Sequence, residues 1–320
     1  MLERGEGRFR RGEPGGAKVK VGIIHERIRL DAKRTNAKRL GELVRKLKAE
    51  HKEVKIIILP SYPFTGPLSL FAENRLSKLL WNGAEAIPVG PGRTRQNSAA
   101  SLLARWSLET KTYLIAGPIV EKAGPRTYLT VVMTSPEGVV VGKYRKISIS
   151  KLEERVGISS GRELGIFDIE PQGRIGVFVD EDIAYPDIFR AFIVKRVNVI
   201  VGFLLTDSPY LGDFVDNNGI KMPSMTALYS FLFTRSRETG LPIFLVGGTV
   251  EAGDGKSFFT VPTIPVDPEI GIVENKALRG DDGREYIVVE LDLENSRPRD
   301  LSQRDLHVAR ICCRALEKSG

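Results

Sequence analysis

Residues 174–190 read Arg174-Ile-Gly-Val-Phe-Val-Asp180-Glu-Asp-Ile-Ala-Tyr185-Pro-Asp-Ile-Phe-Arg190, and they decide the fold. Ile175-Gly-Val-Phe-Val179 is apolar and β-branched enough for a buried strand, whereas Pro186, with Phe189, Ala191 and Phe192 behind it, suits a helix start with proline in the first turn. Between them lies a turn sharp enough to aim one side chain into a pocket. That side chain is an acid, Asp180, at the place where a strand-turn-helix elbow usually presents a nucleophile.

Outward from the elbow the same rhythm recurs. Lys18-Val-Lys-Val-Gly-Ile-Ile24 is a strand, Ala32 to about His51 carries helical spacing through Leu40, Val44 and Leu47, and Val54-Lys-Ile-Ile-Ile-Leu59 is a second buried strand. Helices are predicted over 69–81 and 98–108, and strands over 112–120, 127–134 and 138–145. After the elbow follow helix 187–196, strand 198–205, helix 222–239, strand 242–247, and strands near 257–264, 270–275 and 285–292. Two β-α-β rounds with hairpin strands between and after them imply two mixed sheets covered by helices, in one domain with internal pseudo-symmetry. The domain is set at 18–296. Residues 1–17, rich in Gly, Arg and Glu, read as a flexible arm, and 297–320 as a helical tail that packs at an oligomer interface.

Three further segments stand in a fixed order with the elbow: Leu59-Pro-Ser-Tyr-Pro-Phe-Thr-Gly66, Val139-Val-Val-Gly-Lys-Tyr-Arg-Lys146 and Gly240-Leu-Pro-Ile-Phe-Leu245. Together they resemble the nitrilase (carbon-nitrogen hydrolase) superfamily over about 18–292. In that family a cysteine opens Cys-Tyr-Asp-x-x-(Phe/Tyr)-Pro-(Glu/Asp)-x-x-Arg; here Asp182, Tyr185, Pro186, Asp187 and Arg190 match and the cysteine does not. The resemblance implies an α-β-β-α sandwich and a homodimer, with higher homo-oligomers open. It also implies four site positions: a general-base Glu, an oxyanion-stabilising Lys, the Cys nucleophile, and a second Glu about eight residues after the Lys. These read Ser61, Lys146, Asp180 and Glu154, with Glu181 and Tyr185 as further pocket residues.

Aspartate is a poor substitute for a thiolate, because attack on an amide carbon would give a mixed anhydride rather than a thioester. An unassisted serine hydroxyl cannot act as a base near neutral pH, which removes a contribution of roughly 10² to 10⁴ in rate. Lys146 beside Asp180 is expected to form a buried ion pair. Three readings follow. The first is a catalytically degenerate protein with a small-molecule-binding, regulatory or scaffold role. The second is a divergent hydrolase acting on an amide, nitrile or carbamoyl compound through Asp180 or a Glu154-activated water. The third is a nucleic-acid or ribonucleoprotein-associated factor using its arm and basic surface.

The bulk properties bound these readings without choosing. Of 320 residues 42% are apolar and 28% charged, with a net charge of +8, so a large core and a mild preference for anionic partners are both expected. Abundant Lys, Arg and Glu with few Cys and Met fits a thermophilic source. The two cysteines, Cys312 and Cys313, are adjacent and far from the elbow, which excludes a disulfide framework or a four-thiolate metal site. No phosphate-loop motif occurs, His25, His51 and His307 lack metal-ligand spacing, and no cofactor is expected. Asp180, Glu181 and Asp182 are consecutive, and on an extended segment their side chains alternate, which argues against a shared cation. No signal peptide or membrane span is read, giving a cytoplasmic expectation.

Overall fold

A computed structural model describes residues 18–71, 76, 80, 83–91, 95–169, 173–205, 213–215, 221–251, 256–280, 283–293, 296–301 and 311. The arm 1–17, most of the tail after 301 with both cysteines, and most of the helix predicted over 69–81 lie outside these residues.

The first half builds β1 (Lys18–Ile24), β2 (Arg27–Arg29), α1 (Lys33–Glu50), β3 (Val54–Ser61), α2 (Ala99–Thr110), β4 (Tyr113–Ala123), β5 (Arg126–Thr134), β6 (Val140–Arg145) and the short α3 (Lys151–Arg155). The second builds β7 (Gly165–Ile169), β8 (Gly173–Val179), α4 (Pro186–Val194), β9 (Val199–Phe203), β10 (Asp213–Val215), β11 (Lys221–Pro223), α5 (Met225–Thr239), β12 (Ile243–Val246), β13 (Gly248–Glu251), β14 (Ser257–Val261), β15 (Ile264–Asp267), β16 (Gly271–Ile272) and β17 (Tyr286–Asp292).

Two six-stranded sheets result, in the orders β17-β1-β3-β4-β5-β6 and β16-β15-β12-β9-β8-β7. In the first, β1, β3 and β4 run parallel and β5, β6 and β17 antiparallel. In the second, β8, β9 and β12 are the parallel trio. The period-two rule then sorts the core into three layers. Val19, Val21, Ile23, Ile56 and Ile58 from one sheet meet Ile175, Val177, Val179, Val199 and Val201 from the other between the sheets. The alternate residues Ile24, Ile57 and Leu59 face Leu40, Val44 and Trp106 of α1 and α2. On the opposite outside, Phe178, Ile200 and Leu245 face Phe189, Phe192, Leu228 and Leu232 of α4 and α5. This is the expected α-β-β-α sandwich.

Local sequence explains the boundaries. Ser98 and Ser224 cap α2 and α5 by accepting hydrogen bonds from the Ser101 and Ala227 amides, and Gly240 closes α5 at φ 70°. A third, five-stranded sheet, β10-β11-β14-β13-β2, was not predicted. Its strands are short, and β2 pairs with β13 across more than 200 residues of sequence, a distance over which no local pattern reports. Other pairings account for two corrections: β11 pairs with β10 and β14, and β14 and β15 belong to different sheets. The helix predicted from 222 begins at Met225, because Lys221–Pro223 is a strand, and the strand predicted near 257–264 is broken into β14 and β15.

Candidate active site

The C-terminal ends of β3, β6 and β8 meet at one edge of the sandwich, and the side chains beyond them form a closed polar cluster. Asp180 follows β8 and opens a 3-10 turn over Asp180–Ala184. Its φ is +46°, a left-handed conformation that costs a non-glycine residue about 1–2 kcal/mol. Tyr62, just past β3, is also left-handed at φ +50°. The two strained turns aim their side chains at each other: the Tyr62 phenol donates to Asp180 Oδ2 at 2.5 Å, while the Leu205 amide donates to Oδ1 at 3.2 Å.

Lys146 follows β6 and is the hub. It is 1% exposed, and its ammonium donates to both Glu153 carboxylate oxygens at 2.7 and 2.8 Å and to Glu181 Oε2 at 2.5 Å, with Asp180 Oδ2 3.6 Å away. Burial opposes the ammonium charge, but Asp180, Glu153 and Glu181 outweigh it and hold the Lys146 pKa above its ordinary value. Burial also raises the Asp180 carboxyl to about 7: Lys146 pulls it down, and the charges of Glu181 and Glu153 add to the rise. Glu181 is raised for the same leading reason. Burial, then the facing Asp180 charge, puts the Tyr62 phenol well above the ordinary tyrosine range.

Asp182, turned away from this hub, is a clamp. Its carboxylate accepts from the Tyr144 phenol at 2.6 Å and from the Val179 and Ser148 amides, both at 2.9 Å, and so ties the elbow to the end of β6.

Four sequence expectations change. Glu153, not Glu154, is the carboxylate that meets Lys146; Glu154 is exposed on α3. The physical reason was legible, since Ser150-Lys-Leu-Glu153 is a capping box in which Glu153 accepts from the Ser150 amide while Ser150 accepts from that of Glu153, and this turns Glu153 inward. Tyr185 is 45% exposed at the start of α4 and stands outside the buried cluster. Ser61 is fully buried, yet its hydroxyl donates to the Val246 carbonyl at 2.8 Å, an inter-sheet strut. Asp180 and Glu181 do converge, because a 3-10 turn rather than an extended segment carries them; with Glu153 they place carboxylate oxygens within 4.8 Å of one another. The Lys146 ammonium stands among those oxygens, so the donor set already holds a cation and does not fit a metal ion in addition. Tyr62 was missed altogether. Its signal is a large aromatic directly after the Ser61 position, in a turn between two prolines.

The sequence matches the carbon-nitrogen hydrolase family over residues 20–299. The chain belongs to this family. Among curated relatives, 2-oxoglutaramate amidase of Bacillus subtilis is 27% identical over 32% of this chain and 40% of its own length. Omega-amidase NIT2-A of Xenopus laevis is 25% identical over 60% of this chain and 67% of its own length. The chain thus spans between two fifths and two thirds of these relatives. Solved family structures superpose more completely: a carbon-nitrogen hydrolase from Helicobacter pylori has a TM-score of 0.68 at 15% identity, covering 88% of this chain and 91% of that one. The Saccharomyces cerevisiae Nit3 protein of the nitrilase superfamily has 0.66 at 18% identity, covering 87% and 91%. At these identities the structural likeness establishes the fold. No helix among the described residues is long and apolar enough to cross a membrane.

Proposed function

We propose that this chain keeps the carbon-nitrogen hydrolase fold without its acyl-transfer chemistry and serves as a binding, regulatory or scaffold protein, assembled as a homodimer. The observation that carries the reading is the Asp180 carboxylate: it is fully buried, with Oδ2 capped by the Tyr62 phenol at 2.5 Å and Oδ1 by the Leu205 amide. To attack a carbonyl carbon it would have to shed both donors, open a path to solvent and form a mixed anhydride. Its raised pKa keeps it partly protonated near neutrality, which further weakens it as a nucleophile. Ser61 supplies no base, since its proton is committed to the Val246 carbonyl. The ammonium that would stabilise an oxyanion is saturated by three carboxylates. Each group that acyl transfer needs is thus occupied by another group of the protein.

The competing reading is a divergent amidase, favoured by the amidase names of the curated relatives and by Lys146 with Glu153 standing together beneath the elbow. Ammonia release from a panel of ω-amides, nitriles and carbamoyl compounds at elevated temperature separates the two. No turnover above buffer is expected. Turnover that disappears in Asp180→Ala would overturn the proposal.

A further inference from the structure

On the outer face of the first sheet, far in sequence from the elbow, a groove of about 760 Å³ runs between α1 and the segment 95–106. The volume lies within the range typical of small-molecule pockets, roughly 300–1,000 Å³. Its walls carry Lys33, Arg34, Lys38, Arg45, Arg95 and Arg105, against Glu42 and Glu85 as the acidic lining. Glu85 is already engaged, by Lys33 and by the Ala99 amide at 2.6 Å. Arg45 and Arg105 lean outward onto a single carboxylate, Glu109, at 3.0 and 3.8 Å. Arg34 and Lys38 on α1 and Arg95 on the opposite wall line the opening with no ion pair to a carboxylate among the described residues, so the groove carries a net positive charge that its concave shape concentrates.

The cations are arranged in a row. Arg34 and Lys38 sit one turn apart on one helix face and Arg45 two turns further on, with Glu42 on the turn between, so the three cations extend over about 16 Å at the helical rise per residue. That is longer than one phosphate group and suits several linked ones. The floor is apolar and closed: Gly41 lets α1 approach Trp106 so closely that a Cβ there would stand 3.0 Å from the indole, and Trp106 itself is 1% exposed. Among the described residues no exposed aromatic lines the groove, so these residues offer the bases of a single-stranded nucleic acid no stacking platform. Recognition must act through anionic charge, at the scale of one compact ligand.

We propose that the α1–α2 groove binds a compact polyphosphorylated small molecule, its phosphates held by Arg34, Lys38 and Arg95. The site is independent of the elbow and of the function argued for it. Isothermal titration of the full chain with inorganic tripolyphosphate and, separately, with ATP tests it. One-to-one binding that weakens as salt rises is expected. Charge reversal of two exposed residues, Arg34→Glu with Lys38→Glu, should lower the affinity at least about tenfold. The equally charged control Lys122→Glu with Lys195→Glu, also exposed, should leave it unchanged. ATP binding as tightly as tripolyphosphate identifies the phosphate chain as the whole determinant, whereas ATP binding more tightly identifies a nucleotide as the source; both outcomes support the site. The proposal is overturned if neither compound binds at low salt, if both double variants lose affinity equally, or if only a long oligodeoxythymidylate binds.

Discussion

Replacing Lys146 by methionine keeps the aliphatic stem and removes the charge on which the elbow cluster depends. In the wild type the ammonium is 2.5–3.6 Å from oxygens of Glu153, Asp180 and Glu181. At an effective dielectric of about 20, a contact at these distances is worth roughly 5–7 kcal/mol of attraction before desolvation and mutual carboxylate repulsion are subtracted. Removing one partner of a buried ion pair costs about 3–5 kcal/mol, because the remaining charges stay buried and uncompensated. The variant has one escape, which is to take up protons. For a glutamate with an ordinary pKa of 4.5, protonation at pH 7 costs about 3.5 kcal/mol, the same size as the penalty, whereas at pH 5 it costs under about 1 kcal/mol.

The signature is therefore a pH-dependent gap in stability. Lys146→Met should be less stable than wild type by about 3–5 kcal/mol at pH 7, and the gap should narrow by about 1.4 kcal/mol per pH unit for each extra proton its folded state holds. Guanidinium unfolding of both proteins at pH 7 and pH 5 measures it. A gap below about 1 kcal/mol at pH 7, or one that is the same at both pH values, would refute the picture of Lys146 as the counterion, alone among the described residues, of a buried carboxylate cluster.

The remaining predictions concern its partners. Asp180 has a folded pKa of about 7 against an ordinary 3.8, so between these values the folded state holds a proton that the unfolded chain has lost. This favours the fold most below pH 3.8, and the contribution disappears as pH rises through 7. Asp180→Asn should thus flatten the fall of stability from pH 4 to 7 by up to about 1.4 kcal/mol per unit, read from chemical melts. Tyr62→Phe removes the donor that offsets the Asp180 charge and should cost about 1–3 kcal/mol, more at pH 8 than at pH 5. Glu153→Gln should destabilise by more than about 2 kcal/mol, through the ion pair and the capping box, whereas Glu154→Gln should stay within about 0.5 kcal/mol; equal effects would restore Glu154 as the lysine's partner. Finally, Asp180→Cys with Ser61→Glu restores the two side-chain types that the family resemblance implies. A cysteine-selective electrophile should label position 180 slowly, and markedly faster when Tyr62 is also cut back to alanine, because the phenol fills the approach; equally fast labelling with Tyr62 intact would contradict the closed site.

The sequence made the architecture legible where the periodicity was unbroken. The strands β1, β3 and β8 alternate or run apolar over their full length, and Pro186 marks a helix start that no neighbouring residue contradicts. It failed at the five-stranded sheet, whose members are too short for a clear period and one of which, β2, pairs with β13 across most of the chain. At the site the sequence made the elbow legible from local pattern, whereas Lys146 and its pairing with Asp180 came from the family resemblance. It misread Glu153, where a family offset was weighed above a capping box printed in the same four residues. It had no way to rank Tyr62, since the value of that phenol lies entirely in its partner 118 residues away.

Why the lysine persists beneath an elbow without a thiol follows from the charge balance around it. Elbow geometry brings Asp180 and Glu181 inward by backbone conformation, and the α3 capping box brings Glu153 inward by hydrogen bonding to the main chain. Neither device depends on Lys146, so the three acids arrive together whether or not a cation is present. An uncompensated trio would have to protonate or unfold the turn. The ammonium lessens that demand from a single position, and every polar side-chain atom buried among the described residues is left with a hydrogen-bond partner. An apolar repacking would need all four charged residues to change at once, because any single loss strands the others. The cluster is therefore held in place by coupling among its own members, and its preservation requires no turnover of substrate.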